Sequence, residues 1–312
     1  MQALSNNYDI PRTRQMLDRA LEVDAHFAEA RAWKAFTTWM ILAGGQSNDS
    51  ALLNQAEAEV RRALQDDPTL LRAHTSLAAL YLIQGRRERM PEELNQALKA
   101  DPTDKDALLM LMLYHLYGGE YAKAQSIGQQ VLERIPVFWP ARLYGADLLR
   151  QQGDLTGAIR EYGKILEQEP QHAVTLTLLA RAHLDSGDRN GARQSMERIA
   201  PKDQQSYWVQ LCWAVLLATE GQRDRALKEM DEQVLTYGAL IAYGTAEVAV
   251  GYAVIGDAPK ALEWLDRAVR NGDERMEYFR RDPLLAGIRD QPRFEQIMQS
   301  IAYRRQQRPP VR

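Results

Sequence analysis

The sequence contains little cysteine and little net charge. Cys212 is its only cysteine, so no disulfide can form within the chain, which fits a reducing compartment such as the cytoplasm. A formal net charge of −3 over 312 residues provides no general field to attract nucleic acid or acidic lipid. We therefore expect neither a disulfide-stabilised secreted domain nor a nucleic-acid-binding protein.

Long hydrophobic runs are also scarce. The longest weakly charged stretch, residues 237–256, has the length of a membrane span, and Glu247 is its only charged residue. It is interrupted by glycines and tyrosines and continues directly into an amphipathic pattern, so we predict no membrane span. The N-terminal residues MQALSNNYDIPRTR lack the apolar core of a signal peptide.

The dominant feature of the sequence is an internal repeat. Proline recurs every 34 residues, at Pro68, Pro102, Pro136 and Pro170. Glycine keeps the same spacing at Gly85, Gly119, Gly153, Gly187 and Gly221, and Gly256 follows one residue late. Alanine keeps it at Ala124, Ala158, Ala192 and Ala226. Three residue types in one register indicate a repeat architecture.

Each repeat unit has the pattern of two helices. An apolar run at helical spacing lies between a proline and the next glycine, which can end a helix in the left-handed conformation. A second amphipathic run then leads to the next proline, which cannot continue a helix. Counting units outward predicts an opening helix at residues 12–24 and seven helix pairs. The first pair carries nine extra residues, 43–51, which we interpret as simple variation in loop length, although such loops can be functional.

The order of large and small residues resembles that of the tetratricopeptide repeat (TPR). The motifs SLAALY (residues 76–81), GAIREYGKILEQEP (157–170) and KALEWLDRAV (260–269) carry the resemblance most clearly. The resemblance covers residues 12–271, with departures where His115 and His183 replace the usual Tyr and Gly128 replaces a bulky residue. It implies an all-α fold, a right-handed TPR superhelix (an α-solenoid) of about seven helix pairs with an extra N-terminal helix.

The end of the chain departs from the repeat. Residues 272–303 contain two further prolines and short apolar clusters, which predict a helical cap over the last pair. The segments GDAPKALEWLDRAV and DPLLAGIRDQPRFEQIM resemble the end of TPR regions in bacterial signalling proteins that also contain kinase, cyclase or winged-helix domains. We predict that residues 1–11 are a lead-in and that the basic residues 304–312 are disordered.

Motifs of catalysis or metal binding are missing from the sequence. It has no Gly-rich phosphate loop, no kinase catalytic loop, and no His-Glu-x-x-His or Cys-x-x-Cys motif. His115 and His183 share a repeat position, but two repeats place them roughly 20 Å or more apart, too far to share a metal ion. Cys212 lies in an apolar helix, where an inert buried thiol is expected. We predict no enzyme activity, no cofactor and no metal.

The resemblance also implies a peptide-binding groove on the inner face of the superhelix. The family's groove positions fall on Thr75, Ala79, Leu82, Leu109, Leu113, Leu116, Asp147, Arg150, Arg181 and Asp185. The first six predict an apolar half and the last four a charged half. Exposed leucines would favour a partner helix or peptide, whereas a tightly closed superhelix would bury them against a neighbouring element. The Lys and Asn of chaperone-binding TPRs are missing here, so an acidic chaperone tail is not the expected ligand.

The leading hypothesis is a non-enzymatic, protein- or peptide-binding scaffold in the cytoplasm. The resemblance of the ending implies the sensory or docking module of a bacterial signalling or transcriptional regulator. Two alternatives remain open: a self-associating scaffold such as a homodimer, and a small-molecule sensor with a pocket inside the superhelix.

Overall fold

The computed structural model describes residues 10–47 and 49–306, and this part of the chain contains 19 α-helices and no β-strand. The first ten are α1 (Ile10–Val23), α2 (Ala28–Ala43), α3 (Ser50–Asp66), α4 (Leu71–Ile83), α5 (Met90–Ala100), α6 (Lys105–Tyr117), α7 (Tyr121–Arg134), α8 (Trp139–Gln152), α9 (Leu155–Gln168) and α10 (Ala173–Asp185). The remaining nine are α11 (Arg189–Glu197), α12 (Tyr207–Thr219), α13 (Arg223–Glu229), α14 (Glu232–Leu240), α15 (Thr245–Ile255), α16 (Ala258–Arg270), α17 (Met276–Arg281), α18 (Ala286–Arg289) and α19 (Pro292–Gln306). The predicted all-α fold is confirmed.

Seven helix pairs form the array. They are α2/α3, α4/α5, α6/α7, α8/α9, α10/α11, α12/α13 and α15/α16, and the two helices of each pair pack against each other. The opening helix α1 packs on α2. It begins at Ile10, so the predicted lead-in of residues 1–11 extends two residues into the helix, and residues 1–9 lie outside the described part.

The repeated Gly-Asp dipeptides explain the regular helix boundaries. Gly153 has a φ of +90° and ends α8 in the left-handed conformation, which a residue with a Cβ adopts only with strain. The side chain of Asp154 then accepts a hydrogen bond from the backbone N–H of Gly157 and so caps α9. The same arrangement starts α11 at Asp188 and α16 at Asp257. The sequence register therefore sets where most helices start and stop.

The sixth pair breaks this regularity. Its second helix, α13, ends at Glu229, and Asp231 caps a separate helix, α14, by accepting a hydrogen bond from the N–H of Val234. A single 3₁₀ turn, Ala242–Gly244, then leads into α15. The repeat pattern did not predict this additional helix. Residues 237–256 are thus divided among α14, the turn and α15, and no helix in the described part is both long and apolar enough to span a membrane.

The loop after α2 joins the first pair to the sixth. The backbone N–H of Tyr207 donates to the carbonyl oxygen of Gly45 at 3.4 Å. The indole Nε1 of Trp208 donates to the carbonyl oxygen of Ala43 at 2.8 Å, and the Ser206 hydroxyl donates to that of Gly44 at 3.2 Å. The interpretation of this loop as simple length variation is therefore incomplete. The loop has a packing role, because it joins the first helix pair to the start of the sixth.

The C-terminal region does more than cap the last pair. Helices α18 and α19 pack on α16. The segment before them crosses the turns of earlier pairs: the N–H of Glu274 donates to the carbonyl oxygen of Tyr117 at 2.9 Å, and the Arg281 guanidinium donates to that of Gln152. A Cβ on Gly85 would lie 2.6 Å from the carbonyl oxygen of Asn271. The chain's own end therefore fills part of the inner face.

The prediction of disorder from residue 304 is wrong for residues 304–306, which belong to α19. The Arg304 guanidinium donates to the carbonyl oxygen of Val269 at 2.6 Å, and that of Arg305 pairs with Glu277 at 2.9 Å. These basic side chains find acceptors because α19 lies beside α16 and α17. Residues 307–312 lie outside the described part.

Candidate binding site: an inner cavity and an outer cleft

The apolar half of the predicted groove is buried. The side chains of Thr75, Ala79, Leu82, Leu109, Leu113 and Leu116 belong to residues that are at most 4% exposed. The 3₁₀ turn Ala242–Gly244 packs on α4, and the backbone of Glu274 is hydrogen-bonded at the end of α6. Of the two arrangements considered for the leucines, the structure has the closed one. Among these six residues, only Leu109 lines a cavity described below.

The four charged residues of the predicted groove lie together as a buried ion-pair network. The Arg150 guanidinium pairs with Asp147 at 2.8 Å and with Asp185 at 2.7 Å. Arg181 pairs with the same Asp185 at 2.9 Å. The four positions share one face because they lie on the first helices of adjacent pairs, α8 and α10.

Sequence reasoning missed the partners that come from the end of the chain. Arg181 also pairs with Glu247 of α15 and, at 2.5 Å, with Asp282, and its guanidinium donates to the Tyr278 hydroxyl at 3.1 Å. Arg275 pairs with Asp273 at 2.5 Å. The isolated charge of Glu247 in an apolar stretch was the one signal that could have pointed to this inner network.

The network keeps its carboxylates ionised despite burial. Burial alone would raise the pKa of Asp282, but the attraction of Arg181 and Arg150 and the hydrogen bond from the Leu284 N–H outweigh it and hold that pKa below its usual range. Burial likewise opposes ionisation of Asp147, and Arg150 again holds the pKa of that carboxyl below its usual range. Asp147 and Asp282 are therefore ionised at neutral pH.

A cavity of about 110 Å³ lies against this network, and we call it the inner cavity. Its aromatic wall consists of Tyr117, Tyr144, Trp208 and Tyr243, and its charged wall of Asp147, Arg150, Arg181, Glu247 and Arg275. The Tyr243 ring stacks on that of Tyr117 at 5.2 Å between centroids and lies parallel to that of Trp208 at 6.0 Å. The broken sixth pair creates this wall, because the turn after α14 carries Tyr243.

A larger cleft of about 840 Å³ adjoins the inner cavity, and we call it the outer cleft. The two share the walls formed by Ala43, Leu143, Tyr144, Val174, Thr177 and Trp208. Phe36, Leu109, Phe138 and Trp139 extend the apolar surface of the cleft. Its volume lies within the range of about 300–1,000 Å³ that is common for ligand sites. The predicted groove is thus replaced by a cleft between the first, third, fourth and fifth pairs and the start of the sixth.

Cys212 and the two histidines at equivalent repeat positions each have a local environment of their own. Cys212 lines the inner cavity, but burial raises the pKa of its thiol to about 12, so it is not a thiolate at neutral pH. His115 lies 3.1 Å from Glu120, and His183 lies 3.0 Å from Asp188, so each has its own partner. Among the residues that the structure describes, no group of three or more His, Cys, Asp or Glu side chains could hold a metal ion.

Comparisons with known proteins agree with this architecture. A family model described as "Tetratricopeptide repeat" matches residues 149–212. Cellulose synthase 1 operon protein C of Komagataeibacter xylinus is 26% identical over 176 residues, which are 51% of this chain and 13% of that protein. A crystal structure of a tetratricopeptide repeat protein from Parabacteroides merdae has a TM-score of 0.50 at 15% identity, covering 85% of this chain and 99% of that one.

Two larger assemblies have higher TM-scores. The human IFIT1 dimer with PPP-AAAA reaches 0.60 at 15% identity, covering 84% of this chain and 68% of that one. A chain of the APC/C hetero-tetramer Cut9-Hcn1 reaches 0.57 at 13% identity, covering 94% of this chain and 59% of that one. At such identities the solved structures establish the fold alone. With its seven helix pairs, the described part of the chain has the fold of a tetratricopeptide repeat solenoid, and the family model matches residues 149–212 of it.

Proposed function

We propose that this TPR solenoid is a non-enzymatic receptor that binds a peptide segment of a partner protein in the outer cleft. The observation that carries the proposal is the cleft itself, an apolar and aromatic opening of about 840 Å³ between several helix pairs. Clefts of this size and character are where proteins bind ligands. The TPR fold supports the proposal, since such solenoids use their inner surfaces for binding.

The charges at the cleft favour a peptide that carries a basic residue. Glu169 and Asp203 line it, and neither has an ion pair with any residue that the structure describes, while Lys202 is the one lysine or arginine among the lining residues. Burial lowers the pKa of His172, so this residue adds no positive charge at neutral pH. An apolar peptide with a basic side chain would complement this surface.

The residues of the predicted groove have different roles in this proposal. Leu109 lines the outer cleft, and Asp147, Arg150 and Arg181 line the inner cavity, where they would meet a side chain of the peptide. Asp185 holds the two guanidiniums in place. Thr75, Ala79, Leu82, Leu113 and Leu116 support α4 and α6 from within the core.

We further propose that the chain serves as the docking module of a cytoplasmic bacterial signalling or transcriptional regulator. The resemblance of residues 256–298 to the end of TPR regions in such proteins supports this role. The relative in Komagataeibacter xylinus supports a bacterial source, and this chain aligns with only 13% of its length.

Blocking the cleft tests the proposal. Short random peptides displayed on phage are selected on the wild type, and the Kd of each selected peptide is measured by fluorescence anisotropy. Ala43 ends α2, is half-buried and lines both cavities, so Ala43→Phe should narrow the cleft and weaken binding about tenfold or more. Ala51→Phe, at an exposed position of α3, is the matched control and should bind as the wild type does.

A second variant separates occlusion from misfolding. Trp139→Ala removes a half-buried aromatic wall of the cleft without adding volume and should also weaken binding. Circular dichroism checks that the variants keep the helical fold. Unchanged peptide affinity in both folded cleft variants, or no peptide selected by the wild type, would refute the outer cleft as the binding site.

The inner cavity favours a second candidate function, the small-molecule sensor. Its small volume of about 110 Å³, with four aromatic and five charged side chains in its wall, suits a small ligand group. The two functions are compatible if one ligand group enters the inner cavity from the outer cleft.

A further inference from the structure

Glu247 occupies an unusual place in this fold. It is the only charged residue in the apolar stretch of residues 237–256, and α15 directs it into the wall of the inner cavity. One of its carboxylate oxygens accepts a hydrogen bond from Arg181. The other accepts none from any residue in the described part of the chain. A carboxylate oxygen that faces a cavity without a donor is ready to accept one from a ligand.

The exposed charge of the inner cavity is negative. The side chains of Glu247 and Asp147 are 20% and 10% exposed, whereas those of Arg181, Arg275 and Arg150 are 8%, 3% and 2% exposed. Each of the three guanidiniums already donates hydrogen bonds to a carboxylate of the network. The oxygen of Glu247 that accepts no hydrogen bond is therefore the group of this wall that is open to a donor on a ligand.

The ion-pair network as a whole also has an excess of acid. The three guanidiniums of Arg150, Arg181 and Arg275 face five carboxylates, those of Asp147, Asp185, Glu247, Asp273 and Asp282. Two carboxylates are therefore in excess in a mostly buried environment, where an uncompensated charge is costly. A cationic ligand would reduce this excess.

The aromatic wall suits the same ligand. Tyr117, Tyr144, Trp208 and Tyr243 line the cavity, and aromatic rings attract organic cations, as the Arg275 guanidinium already does over the Tyr117 ring at 4.8 Å from its centroid. The hydroxyls of Tyr144 and Tyr243 have no hydrogen bond with any residue that the structure describes, and each can accept one from an N–H donor. The volume of about 110 Å³ limits the bound group to a few non-hydrogen atoms.

We propose that the inner cavity binds a compact alkylammonium group, with Glu247 as its principal carboxylate partner and the aromatic wall around its methylenes. The group has two sources with the same chemistry, a lysine side chain of a peptide in the outer cleft or a free amine. The first source rests on the proposed function, and the second does not.

The first experiment uses the wild-type protein and four small probes. Isothermal titration calorimetry measures the binding of butylammonium, Nα-acetyl-lysinamide, 1-butanol and butyrate. The two ammonium probes should bind saturably and at least about tenfold more tightly than 1-butanol, which has the alkyl chain without the charge. Tighter binding of butyrate than of butylammonium, or no saturable binding of either ammonium probe, overturns the proposal. This comparison depends on no variant.

The second experiment locates the site. Glu247→Gln keeps the shape of the side chain and removes its charge, while Arg181 keeps Asp185 and Asp282 as partners. It should weaken butylammonium binding about tenfold or more, because a charge-assisted hydrogen bond is lost. Glu263→Gln, at an exposed position of α16, is the matched control and should bind as the wild type does. Equal affinity of the two variants for butylammonium overturns the assignment to Glu247.

A third experiment distinguishes the sources and separates this inference from the proposed function. Lysine in each phage-selected peptide is replaced by norleucine, which keeps the methylenes and removes the charge. A loss of about tenfold or more supports the lysine side chain as the source. If butylammonium binds and no peptide does, the free amine is the source, and the proposed function fails while the inference stands. If peptides bind without need of lysine and butylammonium does not bind, the inference fails alone.

Discussion

Replacing Arg181 tests how the end of the chain is held to the inner face. The Arg181 side chain is 8% exposed and pairs with Asp185, Glu247 and Asp282, whose side chains are 4%, 20% and 0% exposed. In Arg181→Met, Asp185 keeps Arg150, and Glu247 still faces the cavity, but Asp282 loses its ion pair and keeps the hydrogen bond from the Leu284 N–H at 2.9 Å and the attraction of Arg150. Removing one partner of a buried pair costs about 3–5 kcal/mol of the free energy of unfolding.

The pH dependence of this loss gives a sharper test. In the wild type the pKa of Asp282 is below its unfolded value, so its contribution to stability is present above the unfolded pKa and lost as pH falls through the folded one. Without Arg181, burial still opposes ionisation of Asp282 while one of its two attracting guanidiniums is gone, so we expect its pKa to rise and protonation at low pH to relieve part of the cost. The difference in stability between wild type and variant should therefore shrink between about pH 7 and about pH 4.

Urea unfolding followed by circular dichroism at both pH values measures the difference. Arg193→Met is the control, because Arg193 is 36% exposed and pairs with Glu220 at the surface, where such a pair contributes less than about 1 kcal/mol. If Arg181→Met costs no more than Arg193→Met, or if its cost is the same at both pH values, the inner network does not hold the C-terminal segment as described.

Three further predictions concern packing, and urea midpoints measure all of them. Ala158→Leu overfills a position that is 0% exposed and should cost about 1–3 kcal/mol, whereas unchanged stability would contradict the repeat register. Leu113→Glu places a carboxylate at a position that is 1% exposed and should cost about 3 kcal/mol or more, whereas unchanged stability would contradict the burial of the leucines. Gly85→Ala and Gly187→Ala both strain a positive φ, at +71° and +81°. The added Cβ would also meet the carbonyl oxygen of Asn271 at Gly85, whereas at Gly187 it meets nothing. Gly85→Ala should therefore cost more, and equal costs would argue against the contact between Gly85 and Asn271.

The helix pairs could be predicted from the sequence because their causes are local. A left-handed glycine such as Gly153 and a capping aspartate such as Asp154 act on neighbours within a few residues. The alanines at 34-residue spacing contact only the partner helix or the next pair, so the same solution repeats along the chain. No proline or glycine marks the break between α13 and α14 at Met230, so the local sequence did not indicate it, and tertiary contacts determine it.

The site depends on how far the array curves, and no short segment encodes that. Asp147, Arg150, Arg181 and Asp185 could be predicted to lie together because they occupy equivalent positions on adjacent pairs. Glu247 and Asp282 join them only because small rotations between successive pairs add up until the sixth pair meets the first and the end of the chain enters the groove. The sequence therefore indicates which faces of the helices point inward, and the closure of the whole array determines that the leucines are buried and that a cavity remains beside Glu247.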